Sequence, residues 1–147
     1  MLHTTELTLY LDDQPLLTLP PLTVAPGEVL TLMGPSGCGK SSLLAALAGV
    51  LPPGGPIRLA GEIRLGERLL TPLAPQARRI GMLFQDDLLF AHLTVAENLM
   101  FGMPAHLRGM AARRACALEA LAEVGLSGQA DKLPGQLSGG QKARVSL

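Results

Sequence analysis

Eight consecutive residues, Gly34-Pro35-Ser36-Gly37-Cys38-Gly39-Lys40-Ser41, fit the pattern G-x-x-x-x-G-K-[ST] of a phosphate-binding loop. Ahead of them, residues 28–33 are mostly apolar and partly β-branched, as in a buried strand. Behind them, residues 41–48 are helix formers closed by Gly49. Strand, glycine loop and helix are the context the motif requires. Gly34, Gly37 and Gly39 carry no Cβ, so the loop can turn tightly and converge its N–H groups on an anion. The positive end of the following helix points to the same place. Lys40 is placed to reach the β- and γ-phosphates, and the Ser41 hydroxyl to bind Mg²⁺.

A chain of 147 residues suits one compact domain. Apolar residues make up 48% and aromatic ones only 3%, so the core should be aliphatic. Twelve basic and twelve acidic residues cancel, and no global field draws the chain to nucleic acid or to an acidic membrane surface. Cys38 and Cys116 have no metal-ligand spacing, and reduced thiols in a cytosolic protein are expected. The start of the chain has no basic, apolar leader. No run approaches the ~18 apolar residues that cross a bilayer, so a membrane role would act through a partner.

Periodicity divides the chain as follows. Residues 6–11 alternate as a half-exposed strand. A turn at 12–15 leads to an extended stretch over 16–24, which Pro20-Pro21 marks as an edge. Short strands are expected over 57–64 and 67–70 about a turn at Leu65-Gly66, with a loop over 71–78. Residues 79–84 read as a buried strand ending at Gln85, parallel to the phosphate-loop strand. Thr94-Val95-Ala96-Glu97 spells a capping box, predicting a helix over 95–101. A second helix is expected over 110–124, with Met110, Ala117, Leu118, Leu121 and Val124 on its apolar face and Gly125 as its stop. Arg108, Arg113 and Arg114 form either a solvated face or a docking surface.

Two further features carry chemistry. Gln85, at the carboxyl end of its strand, can ligate Mg²⁺ and orient a water. Leu137-Ser138-Gly139-Gly140-Gln141 places a hydroxyl and bare N–H groups at a helix start, a second anion site.

With these residues in place, the chain resembles the nucleotide-binding subunit of an ATP-binding-cassette (ABC) transporter over essentially its whole length. Gly34 to Ser41 is similar to the family's Walker A, and Phe84-Gln85 to its Q-loop. Leu137 to Gln141 matches its signature letter for letter. Leu93-Thr94-Val95-Ala96-Glu97-Asn98-Leu99 and Leu133-Pro134-Gly135-Gln136 are also similar to family stretches. The resemblance implies an α/β fold of the P-loop NTPase type. It would comprise N-terminal antiparallel strands, a parallel sheet carrying the phosphate loop, and a helical subdomain. By this reading 1–85 is the core, 86–136 the helical subdomain, and 137–147 the signature with the start of its helix.

The resemblance also implies ATP and Mg²⁺ as ligands. Gly34, Pro35, Ser36, Gly37, Cys38, Gly39, Lys40, Ser41 and Ser42 would hold the nucleotide. Tyr10 would stack on adenine, although its spacing to Gly27 is one residue off. Ser138, Gly139, Gly140 and Gln141 would reach the nucleotide of a second, head-to-tail subunit. Lys40 and Gln85 would serve catalysis, and Ser41 and Gln85 the metal. The partners would be transmembrane permease subunits, met through the helical subdomain at the cytoplasmic face of the plasma membrane. An importer of the bacterial type is the leading reading.

One departure stands out. The family's Walker B strand, catalytic glutamate, D-loop and switch histidine lie beyond the position of Leu147. Asp86 and Asp87 fall on a loop and are not read as a general base. The expectation is a fragment, incomplete at its C-terminus, without useful ATP turnover and poorly folded alone. Leu30, Leu32, Ile80 and Leu83 would then be left with unpaired backbone and exposed apolar surface. The alternatives are a soluble, non-transport ABC ATPase and a truncated cassette that only binds.

Overall fold

The computed structural model describes residues 1–86, 88–104 and 106–147. It forms two compact units, Met1–Met82 and Leu83–Leu147.

In the first unit seven short strands make two antiparallel sheets. They are β1 (Leu2–Thr4), β2 (Leu7–Leu11), β3 (Gln14–Leu19), β4 (Thr23–Val24), β5 (Ile57–Ala60), β6 (Ile63–Leu65) and β7 (Arg68–Leu69). One sheet runs β4-β1-β6-β7 and the other β3-β2-β5. β3 and β4 are both edges, as Pro20-Pro21 between them requires. The β2–β3 hairpin turns on Asp12 and Asp13, both at positive φ, a conformation short polar side chains tolerate.

One face of the second sheet is apolar. Leu7 and Leu9 of β2 are about 1% exposed, and Leu17, Leu19, Ile57 and Leu59 flank them. Helix α1 (Lys40–Ala48) packs Leu43 and Ala46 into the same cluster, with Ile63 and Leu70. The opposite face is polar, where Thr8 and Thr18 share a hydrogen bond of 3.2 Å. β3 carries one extra residue: Leu9 pairs Leu17, but Tyr10 pairs Pro15, so Leu16 is bulged out.

The expected parallel strands over 28–33 and 79–84 do not form. Among the described residues every strand pair is antiparallel. An apolar run becomes a strand only beside a partner whose N–H and C=O groups meet its own, and none lies along these segments. Val29 and Met33 are 89% and 91% exposed. Leu30 and Leu83 are about half exposed, whereas Leu32 and Ile80 still lean on the first unit's core. Leu30 and Leu32 line an apolar cleft of about 210 Å³ along Leu43, Leu44 and Leu47.

The loop expected over 71–78 contains a short helix, α2 (Pro75–Arg78), with proline at its start. It exists to deliver Arg78, which is only 7% exposed. The guanidinium donates to Ala46 O at 2.7 Å, Leu47 O at 3.1 Å, Thr71 O at 2.9 Å and Leu73 O at 2.9 Å. The first two are carbonyls in the last turn of α1, where Ala46 O also accepts from Gly49 N–H at 3.2 Å, so Arg78 joins the glycine cap in closing the phosphate-loop helix. Burial pushes its pKa below the ordinary arginine value. Gly49, left-handed at φ 80°, lies against it: a Cβ there would come within 2.5 Å of Arg78 Nε.

The second unit is helical. Helix α3 (Val95–Gly102) begins with the expected capping box. Glu97 N–H donates to Thr94 Oγ1 at 3.3 Å, and Thr94 N–H donates to the Glu97 carboxylate at 2.7 Å. These bonds to Thr94 hold the Glu97 pKa below its ordinary 4.5. Helix α4 (Met110–Glu123) buries Ala117 and Leu121, but Met110 and Leu118 face outward, so its apolar stripe is narrower than expected. Helix α5 (Gly139–Val145) follows a 3₁₀ turn at Pro134–Gln136. Val95, Ala96, Leu126, Ala130, Leu137 and Val145 complete this core.

The basic residues of α4 are accounted for within the unit. Arg113 donates to the carbonyls of Met100 and Leu107, closing α3, and Arg114 pairs Asp131 at 2.7 Å. Arg144 of α5 donates to Val124 O at 3.0 Å, closing α4.

Candidate functional site

The phosphate loop leaves its donors free. Gly37 and Gly39 take φ 82° and 94°, backbone that only glycine adopts without strain, and Gly39 sits at the N-cap of α1 in place of a capping side chain. Hence the N–H groups of Lys40, Ser41 and Ser42 meet no acceptor among the described residues, and the first turn holds no acidic side chain. The N–H groups of Gly37, Cys38 and Gly39 are equally free. Lys40 Nζ lies over the loop, donating to Gly34 O at 2.8 Å and Pro35 O at 2.6 Å, with Cys38 Sγ at 3.7 Å. A cation, a helix start and six unclaimed amides in one concavity form an anion site.

The Ser41 side chain is exposed and makes no hydrogen bond among the described residues. That suits Mg²⁺, which takes one or two protein oxygens and fills the rest with phosphate oxygens and water. No cluster of three His, Cys, Asp or Glu side chains suited to a metal occurs among the described residues, so any metal would depend on the phosphates.

Gly39 rests on the bulge of β3: a Cβ there would lie 3.3 Å from Leu16 Cδ2 and 3.7 Å from Leu17 Cβ. The bulge at Leu16 falls between Tyr10 and Gly27, the pair whose spacing is one residue off. Tyr10 itself is on the polar face of β2, alternating with the buried Leu9. Arg58, its cross-strand partner on β5, places its guanidinium carbon 5.7 Å from the ring centroid and pairs with Asp13.

In the second unit the signature residues start α5. Ser138 Oγ accepts from Gln141 N–H at 3.3 Å, and Gln141 Oε1 accepts from Ser138 N–H at 2.9 Å. Gln141 is thus engaged in a capping box, while the N–H groups of Gly139 and Gly140 face solvent. Gln85 is exposed on a bend and not at a strand end. With Leu83 and Phe84 it lines a cleft of about 230 Å³, which Gly139 and Ala143 of α5 and its C-cap Ser146 also line. Asp86 is exposed on the same bend, and Asp87 lies outside the described residues.

Sequence reasoning missed two residues that shape these elements, Arg78 and Asn98. The Asn98 side chain accepts from Phe90 N–H at 2.7 Å and donates to the carbonyls of Phe90, Leu93 and Thr94 at 3.0 to 3.1 Å. This fixes the loop ahead of α3, where the exposed Phe90 and Phe101 rings meet edge to face at 4.7 Å. No motif announces Arg78, and the family-like stretch Leu93–Leu99 contains Asn98 without pointing to its bonds; only the tertiary structure brings their acceptors together.

The sequence profile of the ABC transporter family matches residues 19–147, and that span contains both the phosphate-loop motif and the helix start at Ser138. The chain belongs to the ABC transporter family. Among other family members, the thiamine import ATP-binding protein ThiQ of Vibrio cholerae is 44% identical over 126 residues, covering 86% of this chain and 51% of its own. The uncharacterized ABC transporter ATP-binding protein YnjD of Escherichia coli is 44% identical over 147 residues, covering 100% of this chain and 66% of its own. A dimeric, post-hydrolysis structure of the ATP-binding cassette MJ0796, bound to ADP and Pi, matches with a TM-score of 0.79 at 29% identity. That match covers 99% of this chain and 67% of that one. The chain thus spans about half to two thirds of these relatives. The α/β cassette assignment holds. No helix among the described residues is long and apolar enough to cross a membrane.

Proposed function

We propose that the chain is the ATP-binding part of an ABC import ATPase, holding the nucleotide phosphates on Gly34–Ser42. The observation that carries this is the run of unclaimed N–H groups at the loop and the start of α1, with Lys40 beside them. In this reading Lys40 leaves the Gly34 and Pro35 carbonyls for the β- and γ-phosphates. Ser41 and Gln85 contribute to Mg²⁺, which supplies charge neutralisation along the triphosphate. Ser138, Gly139 and Gly140 serve the nucleotide of a second, head-to-tail subunit. The dimeric state of the MJ0796 cassette supports the pairing. The exposed Leu88, Phe90 and Phe101 support the helical unit as the surface for transmembrane permease subunits, at the cytoplasmic face of the membrane.

In this reading ATP hydrolysis is the activity of the whole nucleotide site, and these residues supply its phosphate-holding part. The acidic residue nearest the loop in sequence, Glu28, accepts from Ala25 N–H at 2.7 Å. Lys40→Ala should lower affinity for Mg-ATP at least tenfold in equilibrium dialysis; unchanged affinity would remove the phosphate-loop reading.

A further inference from the structure

We infer that Arg78 is a positioning residue for the phosphate site, setting the place of α1 along its own axis. This rests on the proposal that the phosphates occupy residues 34–42, and it adds a group outside that loop on which phosphate affinity depends. Three observations carry it.

First, the site is built half from the loop and half from the helix. Gly37, Cys38 and Gly39 offer loop amides, and Lys40, Ser41 and Ser42 offer the first amides of α1. A slide of α1 by roughly 0.5 Å spans the whole range of good N–H to oxygen distances, so the two sets serve one anion only if the helix stays in place. Second, packing and local caps leave that slide open. Leu43 and Ala46 hold α1 through apolar contacts, which are not directional. Gly49 N–H, on Ala46 O at 3.2 Å, closes the last turn from within, and that turn has no basic residue of its own.

Third, Arg78 supplies the tie. Among the described residues, the hydrogen bonds that join α1 to a distant segment come from its guanidinium. It reaches Ala46 O and Leu47 O on one side and Thr71 O and Leu73 O on the other. The 70–73 turn is itself bonded to the buried Ile63 of β6. Leu70 N–H donates to Ile63 O at 2.7 Å, and Ile63 N–H donates to Thr71 Oγ1 at 2.8 Å. One end of α1 is thus fastened to the sheet of β6, while Gly39 at the other end rests on Leu16, beside the sheet of β3. The guanidinium also faces the negative end of the helix whose positive end meets the phosphates, roughly 10 Å away. Clamp and anion both favour the same placement of one rod, so their free energies are coupled.

The parent chain, Arg78→Ala, Arg78→Lys and Asn98→Asp would be titrated calorimetrically with inorganic tripolyphosphate, at a temperature where circular dichroism shows each to be folded. Arg78→Ala should weaken binding about tenfold, and Arg78→Lys, whose ammonium reaches one side of the fork, about threefold. Asn98→Asp disturbs the other unit and should bind as the parent does. At equal tripolyphosphate, the rise in Tm on binding should be smaller in both Arg78 variants than in the parent. An Arg78 that only stabilises the fold would leave affinity and that rise unchanged in folded protein. If Arg78→Ala does not fold, Arg78→Lys decides by the same readings. Parental affinity in the folded Arg78 variants, or an equal loss in Asn98→Asp, overturns the inference and leaves the phosphate site standing. Failure of the parent chain to bind tripolyphosphate, or undiminished binding by Lys40→Ala, overturns both.

Discussion

Removing the Arg78 guanidinium should loosen the phosphate-loop helix from its far end. Four carbonyls lose a donor, two of them at the C-terminus of α1, where Ala46 O keeps only the Gly49 N–H. A hydrogen bond to a charged group contributes about 1.5 to 3 kcal/mol, but these four are not additive. Only the bond to Ala46 O is fully buried; water can reach the other three acceptors. We therefore expect Arg78→Ala to cost about 3 kcal/mol, which for a chain of this size lowers Tm by about 10 °C. Arg78→Lys should recover less than half, because one ammonium cannot fork between α1 and the 71–73 carbonyls.

Gly49 supplies the control. Gly49→Ala should cost about 2 kcal/mol, from left-handed backbone and from a methyl driven into the guanidinium. In the double variant the methyl meets only alanine, so its cost should fall short of the sum by about 1 kcal/mol or more. Urea melts followed by circular dichroism give all four corners of the cycle. Additivity within about 0.3 kcal/mol would refute the placement of Arg78 against Gly49 and the reasoning built on it.

Further tests concern the helical unit. Asn98→Asp turns a donor facing three carbonyls into an acceptor and should destabilise by about 2 kcal/mol; an unchanged thermal melt would show that the loop at Phe90 is held otherwise. The Glu97 carboxylate is depressed in the folded state, first by the Thr94 backbone N–H and then by the Thr94 hydroxyl. Its contribution is therefore complete above its ordinary value of 4.5 and is lost as pH falls below it, through the folded value. Glu97→Gln should flatten that acid limb in pH-dependent melts, and an unaltered slope would count against the capping box as its source. Ser138→Ala should cost the second unit about 1 kcal/mol through its lost N-cap, read in the same melts; no change would mean that α5 starts without it.

Local rules were enough for much of this structure. The capping box at Thr94, the helix start at Ser138 and the alternation of β2 each involve neighbours in sequence and formed as read. By contrast, the strand expected over 57–64 breaks at Gly61 (φ 105°) into β5 and β6 of different sheets, and the turn expected at Leu65-Gly66 falls on Gly66-Glu67. The segments 28–33 and 79–84 failed because strand character there depends on lateral partners, which an apolar run does not encode. Arg78 looked like one more loop residue; its acceptors lie more than thirty positions away on α1. The candidate site shows the same division. The phosphate loop is contiguous and was legible as a motif. The side of β2 on which Tyr10 stands depended on the parity of a strand whose core face the sequence left open.

Among the described residues each helix of eight residues or more ends on an arginine borrowed from elsewhere: Arg78 for α1, Arg113 for α3 and Arg144 for α4. The lenders sit 32, 13 and 20 positions from the carbonyls they meet. Excised peptides spanning α1, α3 or α4 would lack them and should fray from the carboxyl end. Amide exchange in the last turns of these helices would then report whether the surrounding chain has assembled, because the local N–H groups at these ends, such as Gly49 on Ala46 O, are joined there by a donor that only the folded chain supplies.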